Sequence, residues 1–137
     1  MAGSTGQGTT VALSGGGAIT CLRSLTLPEW SMEEIDTSCL SDTGFTKKIV
    51  SDLVDAGSVS MTLVFDLTDS PVTPDSESDT LTVTFPTPPG GTSGATLAGT
   101  GYVLSCTLPE VTIGGLLEQT VVFVFDGATG PTWTAAT

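Results

Sequence analysis

Histidine and asparagine are absent from this chain, cysteine occurs three times, and three cations face 15 carboxylates. Each shortage excludes a class of function. Without histidine there is no Ser/His/Asp or Cys/His couple, because a hydroxyl or thiol nucleophile needs a neighbouring base to take its proton. With Lys47 and Lys48 the sole lysines, a Ser/Lys pair is poorly served. The commonest metal ligand is missing as well, and no N-glycosylation acceptor exists without asparagine. Cys21, Cys39 and Cys106 are odd in number and form no CxxC pair. They read as small buried hydrophobes in a reducing compartment; the alternative is one bridge with a thiol left over.

Aromatic residues make up 6% of the chain, too few for the sugar platforms that accompany paired catalytic carboxylates. The acidic segment 69–79, DSPVTPDSESD, lacks the glycine and the terminal glutamate of an EF-hand loop. No glycine cluster opens a helix where a phosphate would sit. The expectation is a non-enzyme with no cofactor and no metal. The longest run of large apolar side chains, Val121 to Phe125, falls far short of the ~20 residues that cross a bilayer. The opening MAGSTGQGTT has neither the basic cluster nor the apolar stretch of a secretory signal. Neither a membrane anchor nor export is expected. At a net charge of −12 the chain repels nucleic-acid backbones, and Lys47-Lys48 is too small a patch to reverse that.

What the chain does have is glycine (17), proline (8) and abundant Thr, Ser and Val, with 39% hydrophobic residues, enough for one modest core. This composition points to an all-β chain of short strands and many turns. Residues 1–17 are small, polar and Gly-rich and read as a flexible arm, leaving 18–137 as a single domain. A strand fits Ala18 to Leu27, with Ile19, Cys21, Leu25 and Leu27 on one parity and Arg23 interrupting it. Trp30 to Leu40 reads as an acidic strand, with Glu34 and Asp36 on one parity and Glu33 on the other; its plain interpretation is a charged sheet edge.

Ser41 to Gly57 holds the one helix candidate, Thr46 to Val54, where Ile49, Val50, Leu53 and Val54 recur at helical spacing; a short helix and an ordered loop both remain open. Asp55-Ala56-Gly57 reads as a corner with Gly57 at positive φ, or as an ordinary hairpin turn. Alternation then marks strands at Ser58–Phe65, Leu81–Phe85, Ala95–Leu108 (through Tyr102, Leu104, Cys106 and Leu108) and Val121–Phe125. Between them, 67–79 is a polar, proline-containing loop. Six to eight evenly spaced strands imply a β-sandwich or partial barrel with at most one short helix.

The order of these pieces resembles the tail tube proteins of long-tailed bacteriophages. One block runs from about Ile19 to Asp66. It holds Ile35-Asp36-Thr37, the turn Ser41-Asp42-Thr43-Gly44-Phe45, the corner Leu53-Val54-Asp55-Ala56-Gly57 and a strand ending in Phe65-Asp66. The second, about Ala95 to Trp133, holds a Gly/Thr-rich entry, the strand from Tyr102 to Leu108, an acidic turn at Pro109-Glu110 and a last apolar strand before a glycine. Such proteins carry a helix after the strand that ends here at Asp66. In this chain that place reads LTDSPVTPDSESD, which opposes a helix, so the helix is either lost or supplied by Thr46 to Val54.

The resemblance implies a structural virion protein. Six copies would join their inner sheets into one β-barrel ring, and rings would stack into the tail tube that conducts DNA into the host. Assembly would take place in the host cytoplasm, with the finished protein in the virion tail. The implied partners are sister copies, tail terminator and tail tip proteins, and a tape measure protein in the lumen before ejection; DNA passes without specific binding. Glu33, Glu34 and Asp36 are candidates for an acidic lumen wall. Phe45, Lys47, Lys48, Asp55 and Gly57 are candidates for inter-subunit or inter-ring contacts, the lysines through carboxylates of their own or a neighbouring subunit. Segments 1–17, 41–57 and 67–79 are candidate stacking joints. Two rivals share the composition: an extracellular β-sandwich binding module, and another phage structural subunit such as a tail terminator or head decoration protein.

Overall fold

A computed structural model describes residues 6–14, 19, 21–64, 67–68, 71–74, 78–109 and 111–137. Phe65, Asp66 and Glu110, and parts of 1–17 and 67–79, lie outside the described residues. The chain is all-β. Its strands are β1 (Thr10–Leu13), β2 (Leu22–Thr26), β3 (Ser31–Asp36), β4 (Lys48–Asp55), β5 (Ser58–Val64), β6 (Asp79–Thr84), β7 (Thr96–Cys106), β8 (Glu118–Phe125) and β9 (Thr132–Thr134).

Seven strands form one antiparallel sheet in the order β1-β6-β7-β8-β5-β2, with β9 also pairing β7; β3 and β4 pair separately. The pairings β1·β6, β2·β5 and β3·β4 are nested, like a single long hairpin rolled up. The sheet curls over its own core in a sandwich-like partial barrel. Val11 on one border strand, and Leu22 and Leu25 on the other, pack into the same cluster as Phe123 at the centre. Residues 6–9 and 22–25 face each other across a cleft, so the two borders approach without hydrogen-bonding.

Strict alternation builds that core. Val59, Met61 and Leu63 of β5, Leu81 and Val83 of β6, and Val121, Phe123 and Phe125 of β8 point inward, while their neighbours face out. Across from the two β8 phenylalanines, β7 turns Gly99 and Gly101 inward. A β-carbon at Gly101 would strike the Val124 carbonyl oxygen and come within 2.9 Å of the Phe123 ring; at Gly99 it would stand 3.0 Å from the Phe125 ring. The rings fill the space the glycines leave, meeting edge to face with centroids 5.5 Å apart.

Several sequence expectations are corrected here. The 1–17 segment is not a free arm throughout, because Thr10–Leu13 pairs residue for residue with β6 and Val11 is buried. The alternation Thr-Val-Ala-Leu was too short to outweigh its Gly-rich flanks. Thr46 to Val54 makes neither helix nor loop; from Lys48 onward it is β4, and no helix occurs among the described residues. Arg23 does not interrupt a face. It sits in a β-bulge, which lets both Leu22 and Leu25 turn inward opposite Leu63 and Met61.

On β7 the inward parity is Leu97, Gly99, Gly101 and Val103, the reverse of the expected face through Tyr102 and Leu104. A second bulge leaves Leu104 exposed and returns Cys106 to the core. Within the 67–79 segment Val72 is buried, and its carbonyl accepts 3.0 Å from Nε2 of Gln119, a buried polar side chain on β8.

Candidate assembly surface

Strands β2 and β5 pair at the border of the sheet, and their continuations β3 and β4 pair with each other beyond it. The four are one hairpin with a bend in the middle. Leu27 to Trp30 and Asp55 to Gly57 form the bend. Pro28 removes a ladder donor there. Oδ1 of Asp55 accepts the Gly57 amide at 2.9 Å, and Gly57 has φ +74°. A β-carbon on Gly57 would lie 2.8 Å from the Glu29 carbonyl oxygen and 3.3 Å from Pro28. Asp55-Ala56-Gly57 is therefore a corner that requires glycine.

Above the corner stands a two-stranded arm, β3·β4, that packs on neither face. Register pairs Glu34 with Val50, Ile35 with Ile49, and Asp36 with Lys48, while Ser51–Leu53 of β4 stand opposite Glu33. Directly opposed residues share a face, so Met32, Glu34, Asp36, Lys48, Val50 and Val54 line one side. Ile35 and Ile49 line the other, with Glu33 by strand alternation. Thus Glu34 and Asp36 come together, and Glu33 is turned away from them.

Polar groups at the tip are satisfied locally. Lys47 Nζ lies 3.2 Å from Asp42 Oδ1 and Lys48 Nζ 2.9 Å from Glu34 Oε1, so both lysines find carboxylates within their own arm. The Cys39 amide donates to Asp42 Oδ2 at 2.6 Å, and the Lys47 amide to Ser38 Oγ at 2.7 Å. Donation from the Ser38 amide and then the Ser38 hydroxyl holds the Asp36 carboxyl below the usual carboxylate range. Arg23 makes no ion pair among the described residues.

Apolar groups on the arm are left unsatisfied. Eight large apolar side chains between Met32 and Val54 are exposed, among them Phe45 at 96% and Leu53 at 80%, with Leu27 and Trp30 exposed at the bend below. An isolated two-stranded ribbon is marginal in water, and contiguous exposed apolar surface marks an interaction site. This surface went unread because Ile49, Val50, Leu53 and Val54 carry apolar side chains on both parities, which mimics helical spacing. The β-branched content of Ile49, Val50 and Val54 was the available signal for a strand.

The cysteines also differ from expectation. Cys21 (φ +49°) and Cys39 are exposed rather than buried, and Cys106 is half-buried with its thiol pKa raised by desolvation; all three are free. Among the described residues, no three His, Cys, Asp or Glu side chains gather to hold a metal ion. A shallow depression at the root of the arm is lined by Trp30, Val54, Ala56, Gly127, Gly130 and Pro131. No protein-family model and no curated protein matches the chain.

Proposed function

We propose that this chain is a structural subunit that assembles with sister copies into stacked hexameric rings, forming an acidic tube for DNA passage of the bacteriophage tail type. One observation carries the reading. The β3·β4 arm pairs both its lysines at home and leaves eight large apolar side chains in water. A lone domain gains nothing from such an arm, whereas a repeating assembly covers it in every copy. The borders support the same reading: β1 and β2 each leave one side of their backbone unpaired, and closing copies into a ring removes such edges.

The charge fits a conduit. A wall with three cations per chain offers phosphates little to pair with. At physiological salt, screening acts over about 8 Å, so only carboxylates near the lumen matter to the duplex. Glu34 and Asp36 share an arm face and Glu33 takes the opposite one, so a lumen that receives the first two does not receive the third. Negative-stain microscopy of the purified protein tests the proposal. Tubes of indefinite length are expected; monomers alone, or single closed rings at every concentration, would overturn it.

A further inference from the structure

Charge is spread unevenly along this chain. No carboxylate precedes Glu29: residues 1–28 carry Arg23 as their one charged side chain, and residues 29–137 carry 15 carboxylates against two lysines. The fold brings two parts of that carboxylate-free stretch together. Gly6 to Thr9, leading into β1, and Leu22 to Leu25 of β2 line the cleft between the two borders of the sheet. Arg23 stands exposed there, at the β2 bulge, and pairs with no carboxylate among the described residues. The arm has the opposite character. Residues 31–55 carry six carboxylates and two lysines. Both lysines are taken, by Asp42 and Glu34, and Asp36 and Asp55 each accept a backbone amide. Glu33 and Asp52 have no partner among the described residues, and they stand opposite one another at the register shift midway along the arm.

We propose that the cleft between β1 and β2 receives the arm of a second copy, with Arg23 meeting Glu33 and Asp52. This rests on the self-assembling reading above and adds the surface on which the arm docks. In a chain of net charge −12, two copies repel each other over most of their surfaces. The cleft is where an acidic arm meets a cation and no carboxylate, and no residue of the copy's own β3 or β4 lines it. The backbones match as well. Strands β3 and β4 each leave one side unpaired, as β1 and β2 do, and adding a strand to an open border satisfies both partners. Arm and cleft are different surfaces, so every joint leaves a free arm and a free cleft, and the assembly propagates.

Charge reversal tests this. Arg23→Glu reverses the cleft, and Glu33→Arg with Asp52→Arg reverses the arm. All three side chains are exposed, so both variants should keep the melting temperature of the dissociated wild-type chain. By analytical ultracentrifugation, each variant alone should associate at least about 10-fold more weakly than wild type, since every joint now opposes like charges. An equimolar mixture should regain wild-type association, because normal arms meet normal clefts and reversed arms meet reversed clefts when the two variants alternate. That rescue also shows both variants are folded. Arg23→Gln, which removes the charge without reversing it, should fall between wild type and Arg23→Glu. Either Arg23 variant assembling like wild type overturns the cleft as acceptor and leaves tube assembly standing. Weakened single variants with no rescue on mixing put another segment in the cleft and overturn the arm as its occupant. Wild type that stays monomeric at every concentration overturns both readings.

Discussion

Strands β4 and β5 are separated by Ala56 and Gly57 alone and are similarly rich in Val, Leu, Ile and Met, yet they meet opposite fates. Val59, Met61 and Leu63 of β5 are buried against β8 and β2, whereas Ile49, Val50, Leu53 and Val54 of β4 remain in water on both sides of a thin ribbon. The difference lies in neighbours and not in composition. β5 lies between β8 and β2 with a core beneath it, and β4 has only β3. An apolar strand without a core is an incomplete interface, and the corner at Gly57 is where the self-sufficient part of the chain ends.

Substitutions that separate the two regions test this contrast. The largest effect belongs to Phe123→Ala, which empties a fully buried site at the centre of β8 and should destabilise the dissociated chain by about 3–5 kcal/mol in urea unfolding. Phe45→Ala on the arm should stay within about 0.5 kcal/mol in the same measurement. Equal losses would abolish the distinction. Next comes Gly101→Ala, whose added methyl meets the Val124 carbonyl and the Phe123 ring; a loss of about 1–3 kcal/mol is expected.

Gly57→Ala forces an alanine to φ +74° against the Glu29 carbonyl and should lose roughly 1–2 kcal/mol. Its mark should be faster amide exchange around the corner, with β8 unchanged.

Two carboxylates sharpen the comparison at its smallest scale. Donation from the Ala128 amide and then the Thr100 hydroxyl lowers the pKa of Asp126 in the body, and donation from Ser38 lowers that of Asp36 in the arm. With the folded pKa below the unfolded one, each contribution is complete above the ordinary carboxylate pKa and is lost as pH falls through the lowered value. Acidification toward about pH 2 should therefore reduce the melting temperature of wild type slightly more steeply than that of Asp126→Asn. Because the arm opens before the body melts, Asp36→Asn should leave that slope unchanged and alter only the tip's amide exchange.

Much of the body was legible in the sequence because alternation with one buried face is an unambiguous signal. Ser58–Phe65, Leu81–Phe85 and Val121–Phe125 all read as strands, and each falls on a strand, with Phe85 just past the end of β6 and Phe65 outside the described residues. Errors fell where a bulge resets parity, at Arg23 and Leu104, since one extra residue turns every later side chain to the other face. The arm was the least legible. Its acidic strand was visible from Trp30 onward, but its partner carries apolar side chains on both faces, and periodicity reports a face only where one side is buried. Gly57 at positive φ was foreseeable from the Asp-Ala-Gly order. The division of Glu33 from Glu34 and Asp36 followed from parity alone.

Amide hydrogen exchange on dissociated chain and on assembled material tests most directly whether the arm is an interface awaiting sister copies. In the dissociated chain, the amides of Met32–Asp36 and Lys48–Val54 should exchange orders of magnitude faster than those of β5 and β8, the ordinary contrast between a frayed ribbon and a core strand. On assembly the arm amides should become as protected as the body while the body stays unchanged. An arm already protected in the single chain, or one that exchanges as fast in the assembled state, would contradict the account.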